Sequence, residues 1–380
     1  MAKLGEICKI NMGQSPDSST YNNNKEGIPF FQGNADFGKI NPTIRLWCSN
    51  PVKIAKENDI LISVRAPIGA LNISDCECCI GRGLASLTIT TDKCIQKFLW
   101  YSLINRTHEL ISKGTGSTFK AINKQILFDL KIPLPPLEEQ EKIAMVLDKV
   151  SELIEKREQQ LAKLDELIKS RFVEMFGDPV TNSNDWNKEQ LKNITKKIGS
   201  GSTPKGGKGS YYTEGISLIR SLNVHNGKFE YKDLAYIDEL QAKQLNNVMV
   251  EEQDVLFNIT GASVARSCIV PKNLLPARVN QHVTIIRCNL EQLNPIFLNQ
   301  QLLNASYQNF LIFLGESNGA TRQALTKEQI ENFFVIVPPL ELQNQFAEFV
   351  EQTEKIKVAI NSSLDKLKIL KKALMQRFFG

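Results

Sequence analysis

The side chains best suited to chemistry are few and scattered. Three histidines, His108, His225 and His282, form no pairing that suggests a metal site or a triad. Cys76-Glu77-Cys78-Cys79 holds one CxxC without a second pair or a nearby histidine, which favours structural thiols over zinc. The Gly- and Lys-rich stretch 196–209 invites a phosphate-loop reading. However, Lys208 is followed by Gly209 rather than Ser or Thr, and the glycine spacing is wrong. Glu230-Tyr231-Lys232 has a nuclease-like look, but no suitably spaced upstream acid supports it. The only Pro-Pro pairs follow Leu134 and Val337, so the Asn-Pro-Pro-aromatic motif of amino-methyltransferases is missing. No catalytic or metal constellation survives, and the chain reads as one that recognises rather than reacts.

Those proline pairs open the most regular stretches of the sequence. After Pro135-Pro136, long or apolar side chains recur at Ile143, Leu147, Val150, Ile154, Arg157, Leu161, Leu164, Ile168, Arg171 and Met175. The gaps alternate four and three, a 3.5-residue period that keeps one stripe in line along a helix. Some 40 residues at ~1.5 Å each make a rod of roughly 60 Å, long for a globular domain. The same stretch occurs twice: a shift of 203 positions lays 116–177 on 319–380 without a gap, with 17 identities in 62 positions. Pro135-Pro136-Leu137-Glu138 meets Pro338-Pro339-Leu340-Glu341, Gln140 meets Gln343, and Phe176-Gly177 meets Phe379-Gly380. The second stripe is Phe346, Val350, Thr353, Lys357, Ile360, Leu364, Leu367, Lys371, Leu374 and Phe378. Two equivalent stripes predict that the helices pack on each other, with Ile143, Leu147, Val150, Ile154, Leu161 and Leu164 facing Phe346, Val350, Ile360, Leu364, Leu367 and Leu374. Arg157, Lys357 and Lys371 would weaken that seam locally and could fix its register. Periodicity leaves parallel and antiparallel pairing open.

What precedes each helix is strand-rich. Short apolar runs such as Ile60-Leu61-Ile62-Ser63-Val64 and Leu87-Thr88-Ile89-Thr90 are bounded by turn formers. A helix is expected over 96–111 with Leu99, Leu103, Ile104 and Leu110 buried, and loops over 14–27, 114–118 and 196–209. Gly27-Ile28 finds Gly215-Ile216, and Asp59-Ile60-Leu61 finds Asp254-Val255-Leu256. This is a tandem duplication: globular parts at 1–136 and 178–339, long helices at 137–177 and 340–380. The net charge of +5 is uneven, because 1–136 holds 16 Lys and Arg against 11 Asp and Glu, whereas 178–339 holds 16 against 15. That balance suits a polyanion partner without requiring one. No stretch approaches 18 uninterrupted apolar residues and residues 1–10 lack a signal-peptide core, so a soluble cytoplasmic protein with reduced thiols is expected.

The chain resembles the specificity (S) subunit of Type I restriction–modification systems over essentially its whole length. The likeness rests on "IPLPPLEEQEKIAMVLD…LAKLDELIKSRFVEMFG" and its copy "VIVPPLELQNQFAEFVEQ…LDKLKILKKALMQRFFG". It rests too on "DILISVRAPIGA" with "DVLFNITGASVA", and "GTGSTFKAINKQIL" with "SNGATRQALTKEQI". The resemblance implies an α+β fold: two globular mixed α/β target recognition domains in tandem, separated by two long helices that form an antiparallel coiled coil. It implies that each domain reads one half of a split double-stranded DNA site. Two modification (M) subunits would dock on the coil and methylate adenine with S-adenosylmethionine, and two restriction (R) subunits would add ATP- and Mg-dependent translocation and cleavage. The chain itself would be non-catalytic, bind no cofactor or metal, and meet no membrane.

Base edges are read by Arg, Lys, Asn and Gln, and phosphates by Lys, Arg, Ser, Thr and backbone amides. In the loops of the first part this nominates Gln14, Ser15, Lys25, Gln32, Asn34, Arg65, Arg82, Thr118 and Lys120. In the second part it nominates Ser202, Thr203, Lys205, Tyr211, Arg220, Asn223, Arg266, Gln281, Thr321 and Arg322. Two other readings compete: a coiled-coil scaffold that binds protein, and a self-sufficient DNA methyltransferase or nuclease. Steep salt dependence of DNA binding separates the first, and activity of the chain alone the second.

Overall fold

A computed structural model describes residues 1–116, 120–204, 206–316 and 323–380, all but the side chain of Lys208. The chain divides into two compact units, Met1–Glu158 with Ser362–Gly380, and Gln159–Asn361.

In the first unit, an antiparallel sheet has the order Cys8–Met12, Leu84–Ile89, Ile60–Ser63, Leu71–Ile73. A second sheet has the order Tyr21–Asn22, Leu46–Cys48, Ile28–Phe31, Cys78–Ile80, Ile54–Ala55, with a parallel pair between Ile28–Phe31 and Cys78–Ile80. The apolar run at 60–64 serves two cores at once, since successive strand residues face opposite ways. Ile60 and Ile62 join the core that holds Leu99 and Leu127, while Leu61 joins Phe31 and Ile80.

The second unit repeats this plan. One sheet runs Thr195–Ser200, Val283–Cys288, Val255–Asn258, Ser267–Ile269, and the other Ala235–Ile237, Ile216–Ile219, Ala277–Val279, Met249–Val250. Ile216–Ile219 and Ala277–Val279 form the parallel pair. Val255 and Phe257 again face one core and Leu256 the other. The matched Asp59 and Asp254 are both buried, and each accepts the amide three residues earlier, from Lys56 at 2.9 Å and Glu251 at 2.7 Å. The expected helix over 96–111 is instead two, Gln96–Asn105 and Thr107–Lys113. Arg106 breaks it at φ −89°, ψ 1°, its amide shared between the Ser102 and Leu103 carbonyls. The break keeps Leu110 buried but turns Ile104 outward, 40% exposed, which corrects its expected burial.

Each long helix is continuous, Leu137–Phe176 and Leu340–Phe379, 40 residues apiece. The repeated glutamine explains the shared start. Gln140 is fully buried; its amide donates to Pro135 O (2.8 Å) and Lys93 O (2.7 Å), and its carbonyl accepts from Ile95 N–H (3.1 Å). Gln343 does the same with Pro338 O (2.8 Å), Gln292 O (3.1 Å) and Asn294 N–H (2.9 Å). The motif is thus a bolt that fixes the helix start to the loop before Gln96–Asn105 or Pro295–Leu303. Gly177 (φ +74°) ends the first helix, and a Cβ there would stand 2.2 Å from Ser183 Oγ.

The helices pair antiparallel in both units. In the first, Ile143 and Leu147 share a cluster with Met375 and Phe379, and Glu158 meets Lys368 at 3.0 Å. In the second, Phe172 packs edge-on to Phe346 with ring centroids 5.6 Å apart, and Asp165 meets Lys357 at 2.7 Å. Ile143, Leu147, Val150, Phe346, Val350 and Leu364 are buried, and Ile154, Leu161, Leu164, Ile360, Leu367 and Leu374 half-buried. Toward their C-terminal ends the buried face leaves the predicted stripe. Phe172 and Phe176 replace Arg171 and Met175, and Met375 and Phe379 replace Leu374 and Phe378. There the helix packs on its globular core, where the natural 3.6-residue period takes over from 3.5. The fold is α+β: two mixed α/β domains in tandem repeat with a pair of long helices as an antiparallel coiled coil.

Candidate nucleic-acid interface

Segments far apart in the first unit are laced together by backbone hydrogen bonds at one end of its sheets. Gly13 N–H donates to Leu84 O (2.9 Å), Gln14 N–H to Ile80 O (3.0 Å), and Arg82 N–H to Ser15 Oγ (3.3 Å). Gly81 N–H donates to Phe31 O (2.8 Å) and Gly83 N–H to Gln32 O (3.3 Å). Val64 N–H reaches Gly83 O and Ile122 N–H reaches Val64 O, both at 2.9 Å. Thr115 and Ala121 then exchange two bonds of 2.9 Å. The loops at 13–15, 32–34, 64–65 and 81–83 and the described residues 115–116 and 120–122 therefore converge. They bring together Gln14, Ser15, Gln32, Asn34, Arg65, Arg82 and Lys120, of which Ser15 and Asn34 are half-buried and the rest exposed.

The second unit is stitched in a similar way, and the last three of its bonds have direct counterparts in the first. Gly201 N–H donates to Asn280 O (3.2 Å), Asn280 N–H to Ile219 O (3.0 Å), Ile259 N–H to His282 O (3.1 Å) and Leu325 N–H to Ile259 O (2.9 Å). Strand register makes Gly13 and Gly201 equivalent, since each follows the residue paired with the second position of Leu84–Ile89 or Val283–Cys288, Met12 with Ala85 and Ser200 with Thr284. Only glycine fits either place. A Cβ would stand 2.2 Å from Gly81 O in one and 1.8 Å from Val279 O in the other. Following the chain from these anchors, Gln14 answers to Ser202, Ser15 to Thr203, Gln32 to Arg220, Arg65 to Thr260 and Arg82 to Gln281. Arg65 and Arg220 thus hold different places in the two copies.

The second site is pre-ordered by side chains. Thr203 Oγ1 donates to Gln281 Oε1, Gln281 Nε2 lies 3.2 Å from His282 Nε2, and His282 Nδ1 shares a 2.6 Å hydrogen bond with Thr260 Oγ1. The Arg220 guanidinium lies 5.3 Å from the Tyr211 ring centroid and donates to Asp233 O. Sequence reasoning misses Thr260 and His282. His282 has no partner of metal or triad type in sequence, and only the fold sets it beside Gln281.

Other nominated residues fall elsewhere. Asn223 is corrected: it is fully buried, donates to Glu230 O (2.9 Å) and Lys232 O (3.3 Å), and accepts Arg220 N–H (3.1 Å), so its amide builds the turn. Its equivalent is Asp36, which accepts Gln32 N–H (2.7 Å) and Arg45 Nε–H (2.8 Å). Lys25, at φ +66°, stands in the 22–27 turn, which among the described residues no hydrogen bond ties to the converging loops. Arg266 sits half-buried after Ala265 (φ +67°), where its carbonyl accepts Asn258 N–H at 2.8 Å. Thr118, Lys205, Thr321 and Arg322 lie outside the described residues.

Among the described residues, no group of three or more His, Cys, Asp or Glu could hold a metal ion. Burial pushes the Cys78 thiol up to about 12 and Cys79 to about 11, which keeps them protonated and poor ligands. No helix of the described residues is long and apolar enough to cross a membrane.

A family profile described as the Type I restriction modification DNA specificity domain matches residues 1–166 and again 183–368. The specificity subunit assigned to the MjaX type I restriction enzyme of Methanocaldococcus jannaschii is 48% identical over 158 residues, 41% of this chain and 37% of that protein. The EcoBI specificity subunit of Escherichia coli is 22% identical over 404 residues, covering 99% of this chain and 84% of its own length. Among solved structures, the S subunit of a Type-I restriction-modification system from M. genitalium aligns with a TM-score of 0.63 at 15% identity, over 100% of this chain and 95% of that one. A chain from work on assembly and conformational transition of the type I R-M system aligns at 0.61 with 18% identity, covering 100% and 96%. These two likenesses show the fold.

Proposed function

Since the chain belongs to the Type I restriction modification DNA specificity family, we propose that it reads a bipartite double-stranded DNA site, one half per globular unit. The observation that carries this reading is the duplicated convergence of loops, each set presenting base-reading side chains: Arg82 with Gln32 and Gln14, and Gln281 with Arg220. Residues 1–136 and 178–339 act as the readers. Residues 137–177 and 340–380 act as the ruler between half-sites and as the dock for two methyltransferase subunits. Those partners bring S-adenosylmethionine and flip the target adenine into their own pockets, because its amino group is unreachable inside the stack. Two restriction subunits bring ATP and Mg where cleavage accompanies methylation. The chain is the non-catalytic member of this cytoplasmic assembly and holds no cofactor itself.

The test is modification-aware sequencing of DNA from cells with and without this gene, the companion methyltransferase being expressed in both. Loss of one split adenine motif on deletion is the expected result, and it reveals both half-sites. An unchanged methylation map would leave a protein-binding scaffold as the better reading.

A further inference from the structure

The two units differ beside their reading loops. In the second, a groove of ≈ 540 Å³ runs along Thr195–Ser200, lined by Lys192, Lys196, Lys197 and Lys327 with Glu331 and Asn247 among its walls. In the first unit an aromatic ring covers part of the equivalent place. Gly5 stands for Lys192 and Phe128 for Glu331, and the Phe128 ring lies so close that a Cβ on Gly5 would meet it at 1.9 Å. The Lys3 ammonium lies over that ring, 5.9 Å from its centroid.

Three further observations make the open groove a place for an extended polyanion. Among the described residues Thr195–Ser200 is an edge strand that pairs with Val283–Cys288 alone, so its other side can offer backbone N–H groups to an acceptor. A register shift between Thr195 and Lys197 re-aims Lys196. The third is a cation bonded to Asn246, the chain neighbour of groove-lining Asn247. Arg278 is 6% exposed and donates only to neutral oxygens, Ala242 O (3.2 Å), Ala277 O (3.0 Å) and Asn246 Oδ1 (3.0 Å). Among the described residues no carboxylate pairs with it, and a buried cation without a counter-charge favours an anion nearby. Arg287, by contrast, is neutralised by Asp254 and Glu251. Glu331 offsets part of the lysine charge through Lys327 at 3.3 Å.

We propose that this groove binds the phosphate backbone of the duplex that flanks the second unit's half-site, without regard to base sequence. The strand leads straight from Lys196 into Gly201–Thr203, so a duplex read by those loops continues along it. Six residues of strand span about 20 Å, enough to pass several phosphates of one DNA strand. The inference rests on the DNA-reading function above and adds an asymmetry to it: the second half-site carries the larger salt-dependent share of binding.

The test uses the full chain and a duplex containing the motif found by sequencing, extended beyond both half-sites. Binding is measured against salt for the native protein, for Lys192→Gln with Lys196→Gln and Lys327→Gln, and for a control, Lys124→Gln, in the first unit. Every phosphate that a lysine no longer neutralises should flatten the log–log salt slope by about 0.9. The triple variant therefore drops by most of three such steps, while the control stays native. Trimming the duplex beside the second half-site should flatten the native slope likewise, and trimming beside the first should not. Native slope in the triple variant, or weakening confined to one base sequence, overturns the groove while leaving the DNA-reading function intact. Native protein that binds no DNA at all overturns both.

Discussion

At the scale of single residues, the same amide carries opposite meanings depending on where its partners lie. Gln140 and Gln281 are both glutamines beside a loop. Gln140 makes its three hydrogen bonds to backbone groups, whereas Gln281 is exposed and merely held by Thr203 and His282. Gln140→Ala leaves Ile95 N–H and two carbonyls without their partner, and the cost should be about 2–4 kcal/mol. A denaturant midpoint that moves by less than a quarter of that would refute the bolt. Arg82→Ala and Gln281→Ala occupy equivalent places, so each should cost about 1–3 kcal/mol for its own half-site and relax the choice of base there. Competition binding with one half-site scrambled at a time reads this out; uniform loss on every sequence would assign phosphate contact instead. Sequence alone places Arg82, Gln281 and Gln14 correctly in loops, since exposed polar residues between strands are legible there. It misjudges Asn223, because a buried turn-forming asparagine and a base-reading one look alike until the turn is seen. His282 and Thr260 are invisible for the complementary reason: their meeting depends on strand pairing.

At the scale of elements, the long helices are the most legible part, their period and proline starts being local signals. What stays hidden is the drift of the buried face onto Phe172, Phe176, Met375 and Phe379, which the globular cores impose. The seam lysines differ in kind. Burial would lower Lys357, but its bonds to Asp165 (2.7 Å) and Glu354 (2.6 Å) raise it on balance above the ordinary 10.5. A raised folded value means its contribution is complete below pH 10.5 and fades as pH climbs through that folded value. Lys371 is lowered, chiefly by burial, with Asp148 opposing. Its charge therefore costs stability at neutral pH, a cost that begins to fade as pH rises through its folded value and is gone above the ordinary 10.5. Lys371→Leu should stabilise by about 1 kcal/mol at pH 7 and by less in alkali, whereas Lys357→Leu should not stabilise. Thermal melts across pH compare them, and destabilisation by Lys371→Leu at neutral pH would refute the assignment.

At the scale of the molecule, duplication is plain from the 203-residue shift, while the equivalence of loops is not, because offsets drift wherever loops differ in length. The central strands Ile60–Ser63 and Val255–Asn258 share only a leucine, Leu61 with Leu256; what they share is burial on both faces. If the helix pair is the ruler, one heptad inserted in each helix adds about 10 Å. The preferred spacer should then grow by about three base pairs at 3.4 Å each. Methylation mapping of a library with varied spacers would show this, and an unmoved optimum would refute the ruler.

The division of the chain also sets an order of assembly. The second unit is one uninterrupted stretch, Gln159–Asn361, while the first closes only with Ser362–Gly380. During synthesis, the later-made unit can therefore finish folding first. Phe98, Tyr101, Ile143 and Leu147 must wait, uncovered, for Met375 and Phe379 to emerge. Protease pulses on ribosome-arrested chains would show the first long helix cut until those residues appear. The half of the protein made first is the half completed last, and its waiting apolar face is where a chaperone or a premature partner would find it.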